Sequence, residues 1–441
     1  MMKKNKYLLE VGCEEIPARF VAKLVDALKH SFEKSLNSQR LSFETIKVYA
    51  TYRRLVVVVE NIADNQENLV DYVKGPPEKM VYDSNGKHSK ASIGFANKNN
   101  VNLDQCELRE FNSKMHLSFR DYQKGKLAQD VLARLVPEVI MGLPLFIAMR
   151  WADNSSSFFR PIHWIVSLFN SQIVSFSLFG LTASKISYGH RFLSNGETSL
   201  GKAFDVSLDE IILDQYRKMN VVLNQQERKE VILKELKKYN QLNFDDELLD
   251  EIVFLVEMPT LLKGTFDKTY LELPDFVLIE CMKKHQRYFP YYSGSKLEAS
   301  FLVVADNVTK LNKKRIISGN QNVLTARLED AMFFYKNDIS QDLSNFVKKL
   351  EGVVFQKNAG TMLDKQKRIY SILSYLKSTK VFNIEDDVLK KIANLSKMDL
   401  VSSMVLEFPS LQGKMGSVYA KLAGEDALIS DAIYEHYLPA G

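Results

Sequence analysis

The sequence predicts an α+β fold, with mixed α+β domains in the N-terminal two thirds followed by an all-α C-terminal region. Two patterns carry that expectation. Short β-branched runs alternate with helical periods as far as Leu311, and from Asn312 onward only the helical period remains. Tyr7 to Gly12 reads as a strand. Pro17 opens a helix in which Val21, Leu24, Val25, Leu28 and Phe32 recur on one face. Ile46 to Tyr49 and Leu55 to Val59 read as strands, and the unbroken Val56-Val57-Val58-Val59 predicts a strand covered on both faces. Gly75-Pro76-Pro77 marks a turn or linker, and the polar stretch from Asp83 to Asn100 an exposed excursion. Ile165 to Phe169 is an apolar run, and Ile173 to Phe179 alternates as a strand does. A charged helix from Gln225 to Tyr239 buries Ile232, Leu233, Leu236 and Tyr239, and a second runs from Leu248 to Val256 before Pro259. Leu324, Leu328, Ala331, Phe334 and Tyr335 keep a helical period, and further helices are expected at Met362 to Leu376, Val388 to Val405 and Asp426 to Tyr437. At roughly 150 residues per domain, the chain divides into 1–150, 151–311 and 312–441.

Composition narrows the class. The 441 residues carry 59 Lys+Arg against 54 Asp+Glu, a net charge of +5, which permits a nucleic-acid partner without amounting to a basic coat. With 46% hydrophobic residues, 19 Gly and 11 Pro, the chain is neither disordered nor collagen-like. Cys13, Cys106 and Cys281 are too scattered for a disulfide framework or a metal knuckle, and read as buried thiols in a reducing cytoplasm. The basic start Met1-Met2-Lys3-Lys4-Asn5-Lys6 precedes too short an apolar stretch for a signal core. No apolar run approaches the roughly 20 residues of a membrane helix, so a soluble cytoplasmic protein is expected.

The seven histidines show no HxxxH or HExxH spacing, and the sequence lacks GxxxxGK[ST], GxGxxG and GxSxG strings. Glu14-Glu15 and Asp245-Asp246 are paired acids of a kind common at helix starts. Cations interleaved with aromatics say more. Lys283-Lys284-His285-Gln286-Arg287-Tyr288-Phe289 offers phosphate-pairing groups beside flat rings that could stack on unpaired bases. Thr51-Tyr52-Arg53-Arg54, Gly189-His190-Arg191-Phe192 and the cluster Lys310, Lys313, Lys314 and Arg315 are further basic segments. Each has a second reading, as a solvated helix end or as an arginine that clamps loops together.

Taken together, these segments resemble the β subunit of bacterial glycyl-tRNA synthetase, the type built from two α and two β subunits. The resemblance runs the length of the chain. Gly12-Cys13-Glu14-Glu15-Ile16-Pro17-Ala18 is similar to the family's opening string, and Thr51-Tyr52-Arg53-Arg54-Leu55 to its TPRRL element, with Tyr52 in place of proline. Lys74-Gly75-Pro76-Pro77, Met149-Arg150-Trp151, Phe159-Arg160-Pro161-Ile162-His163-Trp164 and Gly189-His190-Arg191-Phe192 follow in order. So do His285-Gln286-Arg287-Tyr288-Phe289, Ala326-Arg327-Leu328-Glu329-Asp330-Ala331, Lys397-Met398-Asp399-Leu400, Glu407-Phe408-Pro409-Ser410-Leu411-Gln412-Gly413 and Glu435-His436-Tyr437-Leu438-Pro439. Leu145-Phe146-Ile147 departs from the family by lacking a proline-lysine pair before Met149.

The resemblance implies a tRNA-binding and positioning subunit of a glycine–tRNA ligase. ATP and Mg²⁺ would be used by the separate α subunit, with no cofactor held by this chain and no catalytic residue on it. Expected partners are that α subunit, tRNA(Gly) and a second β copy, with neither membrane nor DNA. The helical region is expected to be HD-like, yet His436 is its one histidine after residue 350, too few for the metal set of an HD phosphohydrolase. The resemblance also implies that the family continues past Gly441 into an anticodon-binding region, so that the chain reads as C-terminally truncated. For the RNA-facing surface the expectation is Arg53, Arg54, Arg160, His190, Arg191, Lys283, Lys284 and Arg287, with Tyr288 stacking on a base. The alternatives are a scaffold that docks α with little RNA contact, and an HD-like phosphohydrolase.

Overall fold

The first apolar run becomes the middle of a sheet. In the computed structural model, which describes residues 5–241 and 244–439, β1 (Lys6–Cys13) pairs antiparallel with both β3 (Arg54–Glu60) and β7 (Ile162–Phe169). Strands β2 (Thr45–Ala50) and β8 (Gln172–Ile173) complete the order β2-β3-β1-β7-β8. The expectation for the valine run holds, and period-two geometry explains it. Leu9 and Val57 face a core built with α1 (Ala18–Ser38) and α3 (Ala128–Met141), while Leu8, Val56 and Val58 face a second core with Trp164 and Tyr216. Gly12 stands opposite Trp164, and a Cβ there would lie 1.8 Å from Trp164 Cε2, so the indole lies across a strand position that only glycine leaves open.

Because β7 is hydrogen-bonded to β1, the expected border at residue 150 runs through one sheet. By compactness the chain forms two units: Met1–Lys237 with Asp246–Thr260 and Ala305–Asn307, and Lys238–Asp245 with Leu261–Val304 and Val308–Gly441. The basic start Met1 to Lys4 and the closing Gly441 lie outside the described residues.

The first unit also holds a sheet of order β4-β6-β5, from β4 (Leu69–Pro77), β5 (Cys106–Phe111) and β6 (Lys114–Gln123). Gly75-Pro76-Pro77 is thus in a strand rather than a turn. Its place on an edge, with a register break between Lys74 and Pro77, is what lets a strand carry prolines. The expected excursion contains helix α2 (Lys90–Lys98), started by Ser89 accepting the Ser92 N–H. The run Ile173 to Phe179 is not one strand. Its ends fall in β8 and β9 (Ser177–Leu178), which pairs with β10 (Leu181–Thr182), and between them Val174 and Phe176 turn into the α1/α3 core. Strands β11 (Ile186–Tyr188) and β12 (Ala203–Asp205) and helices α4 (Ile212–Lys218), α5 (Gln225–Lys238) and α6 (Asp246–Val253) complete the unit.

The second unit has a sheet of order β13-β15-β14, made by β13 (Thr260–Thr265), β14 (Phe289–Ser293) and β15 (Lys296–Ala305). Helix α7 (Asp275–Glu280) runs into a π-helical turn at Cys281–His285. Next come α8 (Lys313–Ile339), α9 (Leu343–Lys349), a small hairpin of β16 (Val354–Gln356) and β17 (Gly360–Thr361), and helices α10 (Met362–Ser378), α11 (Asp386–Leu395), α12 (Ser403–Glu407), α13 (Lys414–Leu422) and α14 (Ala427–Glu435). Among the described residues, the region from Asn312 is therefore helical apart from one hairpin, and the fold is α+β.

The helix expected over Val388 to Val405 is broken in two. Ser402 accepts the Val405 N–H, and the buried Asp338 carboxylate accepts the N–H groups of Ser403 and Met404, so a new helix starts where one was expected to continue. Asp399, in the turn between them, accepts N–H bonds from Gly413 at 2.5 Å and Gly416 at 2.9 Å through one oxygen, while its other oxygen is buried without a partner. Burial pushes its carboxyl up to about 6, against the lowering effect of those N–H groups and of Lys397. The fold therefore favours the protonated form. This contribution is complete below the ordinary carboxylate value of about 4 and is lost as pH rises through about 6, a change of roughly 3 kcal/mol at most. Asp399→Asn keeps an acceptor for both N–H groups and cannot ionise. It is expected to raise the melting temperature of the second unit at neutral pH and to flatten its dependence between about pH 4 and 7; an unchanged pH profile would count against it.

No helix among the described residues is long and apolar enough to cross a membrane. Cys13 and Cys281 are buried, as expected, and burial raises both thiols to about 12; Cys106 is only partly covered.

Candidate functional site

The arginine pair at the start of β3 is the centre of a buried ionic cluster. Arg54 donates from Nε to Glu257 Oε1 at 2.7 Å and from Nη2 to Glu257 Oε2 at 3.3 Å, a forked pairing that suits a planar guanidinium. Its Nη1 reaches Glu10 Oε1 at 3.0 Å and the Tyr188 carbonyl at 2.8 Å. The Tyr216 hydroxyl donates to Glu10 Oε2, the oxygen Arg54 leaves open, and the Thr51 hydroxyl donates to Glu257 Oε1, the oxygen that Arg54 Nε also meets. Arg53 donates to the Leu200 carbonyl and lies 4.0 Å from Glu257. All four charged side chains are 0% exposed. Burial pushes the Glu257 carboxyl up, but Arg54 and Arg53 outweigh it and hold the group below the usual carboxylate range.

A second knot adjoins it around Asp306. One oxygen accepts the N–H groups of Glu257 and Met258, and the other the Tyr52 hydroxyl at 2.7 Å. His190 is fully buried, and its Nδ1 accepts the N–H groups of Phe192 and Leu193. The proton therefore sits on Nε2, which stands 3.1 Å from Asp306 without hydrogen-bond alignment. Towards solvent, Glu14 accepts from Arg191 at 2.8 Å and lies 2.8 Å from His163 Nε2. A cleft of about 380 Å³ opens beside this knot, walled by Tyr52, Phe192, Leu255 and the start of α1. Among the described residues no group of three or more His, Cys, Asp or Glu is placed to hold a metal ion.

These positions correct part of the expected RNA-facing surface. Arg53, Arg54 and His190 are buried and engaged with internal partners, so they hold segments of the first unit together and present nothing to a nucleic acid. Tyr288 is also buried. Its ring stacks on Phe301 at 4.6 Å and its hydroxyl donates to Asn320, which leaves no face for a base. Arg160 is partly exposed and donates to the Phe159 carbonyl, and Arg191 is tied to Glu14 and Glu15. In the second unit, Lys283 pairs with Asp245 at 3.2 Å, Lys284 with Glu280 one helical turn away, and partly exposed Arg287 folds back on the Lys284 carbonyl. The candidates are thus divided between the two units. Lys310, Lys313, Lys314 and Arg315 stand exposed at and before the first turn of α8.

The sequence reading passed over Glu10, Glu257, Tyr216, Asp306 and Arg228. Arg228 is completely buried on α5 and donates to the carbonyls of Val253, Val222, Leu223 and Ala50.

Residues 7–441 match the family described as glycyl-tRNA synthetase beta subunit. The chain is 38% identical over 442 residues to the glycine–tRNA ligase beta subunit of Clostridioides difficile strain 630, covering 99% of this chain and 63% of that protein. It is 38% identical over 440 residues to the protein of the same name from Desulforamulus reducens, covering 98% and 62%, and 38% over 441 residues to that of Listeria welshimeri, covering 98% and 63%. The chain belongs to the glycyl-tRNA synthetase beta subunit family. It spans about 63% of the length of the curated relatives it matches.

Proposed function

We propose that this chain acts as the tRNA-holding part of a glycine–tRNA ligase, serving ATP-dependent attachment of glycine to tRNA(Gly) in the cytoplasm. The observation that carries this reading is the family match over residues 7–441. In it, ATP and Mg²⁺ belong to the α subunit, and this chain binds and orients RNA without itself reacting. The interior cluster keeps the first unit rigid, while solvent-accessible cations do the holding. Lys284, with 60% of its side chain exposed, and the exposed Lys313, Lys314 and Arg315 support an RNA-facing role in the second unit. Arg160, Arg191, Lys283 and Arg287 remain candidates with partial exposure.

Glycylation of tRNA(Gly) by the α subunit, with and without this chain, tests the reading: the chain is expected to raise the rate, and no difference would overturn it. Charge reversal in the double variant Lys283→Glu, Lys284→Glu is expected to weaken tRNA binding and lower the magnitude of the salt slope by about 1.5–2, as two phosphate contacts are lost. An unchanged slope in filter binding, with melting also unchanged, would remove both lysines from the surface.

A docking role on α is favoured by one further observation. Phe333 on α8 and Leu406 on α12 are 68% and 70% exposed, unusual for large apolar side chains on paired helices. Mixing the chain with α and measuring the mass of the complex distinguishes docking from RNA holding.

A further inference from the structure

One face of the β4-β6-β5 sheet has an unassigned chemistry. Side chains alternate across a strand, so register decides which residues share a face. Phe119 faces α2, with its ring 5.8 Å from that of Phe95, and its partners Val73 and Cys106 share that side. The opposite side carries the cations Lys74, Arg109, Lys114 and Arg120. Between them stand the rings of Tyr72, Phe111 and Tyr122.

The contacts confirm that these groups share one surface. The Arg109 guanidinium lies 3.5 Å from the Tyr72 ring centroid although β6 separates their strands, so the stack crosses β6 and covers Ser118, which is buried on an otherwise open face. Lys74 Nζ reaches across in the same way to within 5.9 Å of the Phe111 ring, beside His116, which donates from Nδ1 to the Gly75 carbonyl. Tyr122 ends the row with 58% of its surface exposed. Glu107, 3.8 Å from Arg109, is the one carboxylate that the register puts on this side, because Asp71, Asp121 and Glu110 fall on the other.

We infer that this face binds single-stranded RNA, with two or three bases stacked on Tyr122, Phe111 and the Arg109–Tyr72 pair and with Lys74, Lys114 and Arg120 on the phosphates. The charge is complementary to a phosphate backbone, and from Tyr122 to Lys114 the platform runs roughly 26 Å, enough for a short unpaired stretch. Exposed rings select unpaired bases, since a duplex offers its base faces only to its own neighbours. The inference rests on the tRNA-holding reading and gives it a surface, for which an unpaired loop or end of tRNA supplies the chemistry.

The test is fluorescence anisotropy with a labelled short oligouridylate, the same strand paired to oligoadenylate, and tRNA(Gly), using the wild-type chain and the variants Tyr122→Ala and Arg120→Ala. Both side chains are exposed, and thermal melting of each variant checks the fold. The single strand is expected to bind more tightly than the duplex. Tyr122→Ala should weaken it by about 5- to 150-fold, and Arg120→Ala should reduce the magnitude of its salt slope by about 0.7. Wild-type affinity in both variants overturns the inference and leaves the tRNA-holding reading intact, and so does equal binding of the duplex. Variants that lose association with α rather than RNA make the face a protein interface and also overturn it. A wild-type chain that binds neither oligonucleotide nor tRNA overturns both.

Discussion

Replacing Arg54 with methionine is expected to destabilise the first unit by about 3–5 kcal/mol, the loss typical when one partner of a buried ion pair is removed. The substitution fills most of the volume, so packing is not the main term. Glu10 and Glu257, both fully buried, are left with negative charge that Arg53, 4.0 Å from Glu257, does not balance. At about 2–4 °C per kcal/mol for a unit of this size, the transition should fall by roughly 6–20 °C in scanning calorimetry. The pH dependence has a definite sign. In the wild type the Glu257 carboxyl is held low, so its contribution is present above the ordinary carboxylate value and is lost as pH falls through its depressed one. Without Arg54, burial dominates and raises that carboxyl, so the variant should lose less than the wild type on acidification. Adding Glu10→Gln and Glu257→Gln should recover part of the loss. A change under about 1 kcal/mol would mean that the cluster is solvated and the clamp account is wrong.

Arg228→Met should have a comparable effect for a different reason. Here no carboxylate is stranded. Four carbonyl oxygens, from Ala50, Val222, Leu223 and Val253, lose donors at 2.6 to 2.9 Å. An unsatisfied buried polar group costs about 1–3 kcal/mol, and allowing for relaxation the sum is about 4 kcal/mol or more. Burial lowers the Arg228 guanidinium to about 10 against the opposing charges of Glu257 and Asp306, and the carbonyl cage satisfies its donors in so dry a place. Arg228→Lys is the informative control. It keeps the charge, but three donors on a single nitrogen cannot span four carbonyls, so most of the loss should remain. Urea denaturation of both variants reads the effect, and a lysine variant as stable as the wild type would contradict the cage.

Both arginines show where reading from sequence stops. The valine run of β3, the helix opened by Pro17 and the helical last quarter were legible, because periodicity is local. The burial of Arg54 was not, since Glu257 lies 203 residues away along the chain. Beside Tyr52 and Arg53 it looks like an RNA-binding cluster, for cations next to aromatics serve surfaces and clamps alike. Weak signals did exist. Glu10 sits inside Leu8-Leu9-Glu10-Val11, where a covered strand would demand a partner for its charge. Arg228 precedes Ile232 and Leu236 by one and two turns, on the stripe that α5 buries. Tyr288 was misplaced because a tyrosine at a strand's start suits a core as well as a surface. The cationic face of β4-β6-β5 was hidden by pairing: Tyr72 and Arg109 become neighbours only once β6 aligns their strands.

The central claim, that this chain holds tRNA by accessible cations, is tested most directly by equilibrium binding of tRNA(Gly) to the purified chain across a series of salt concentrations. The account predicts measurable binding at low salt whose logarithm falls linearly with the logarithm of salt, steeply enough for several phosphate contacts. No binding at the lowest salt, or an affinity indifferent to salt, would contradict it.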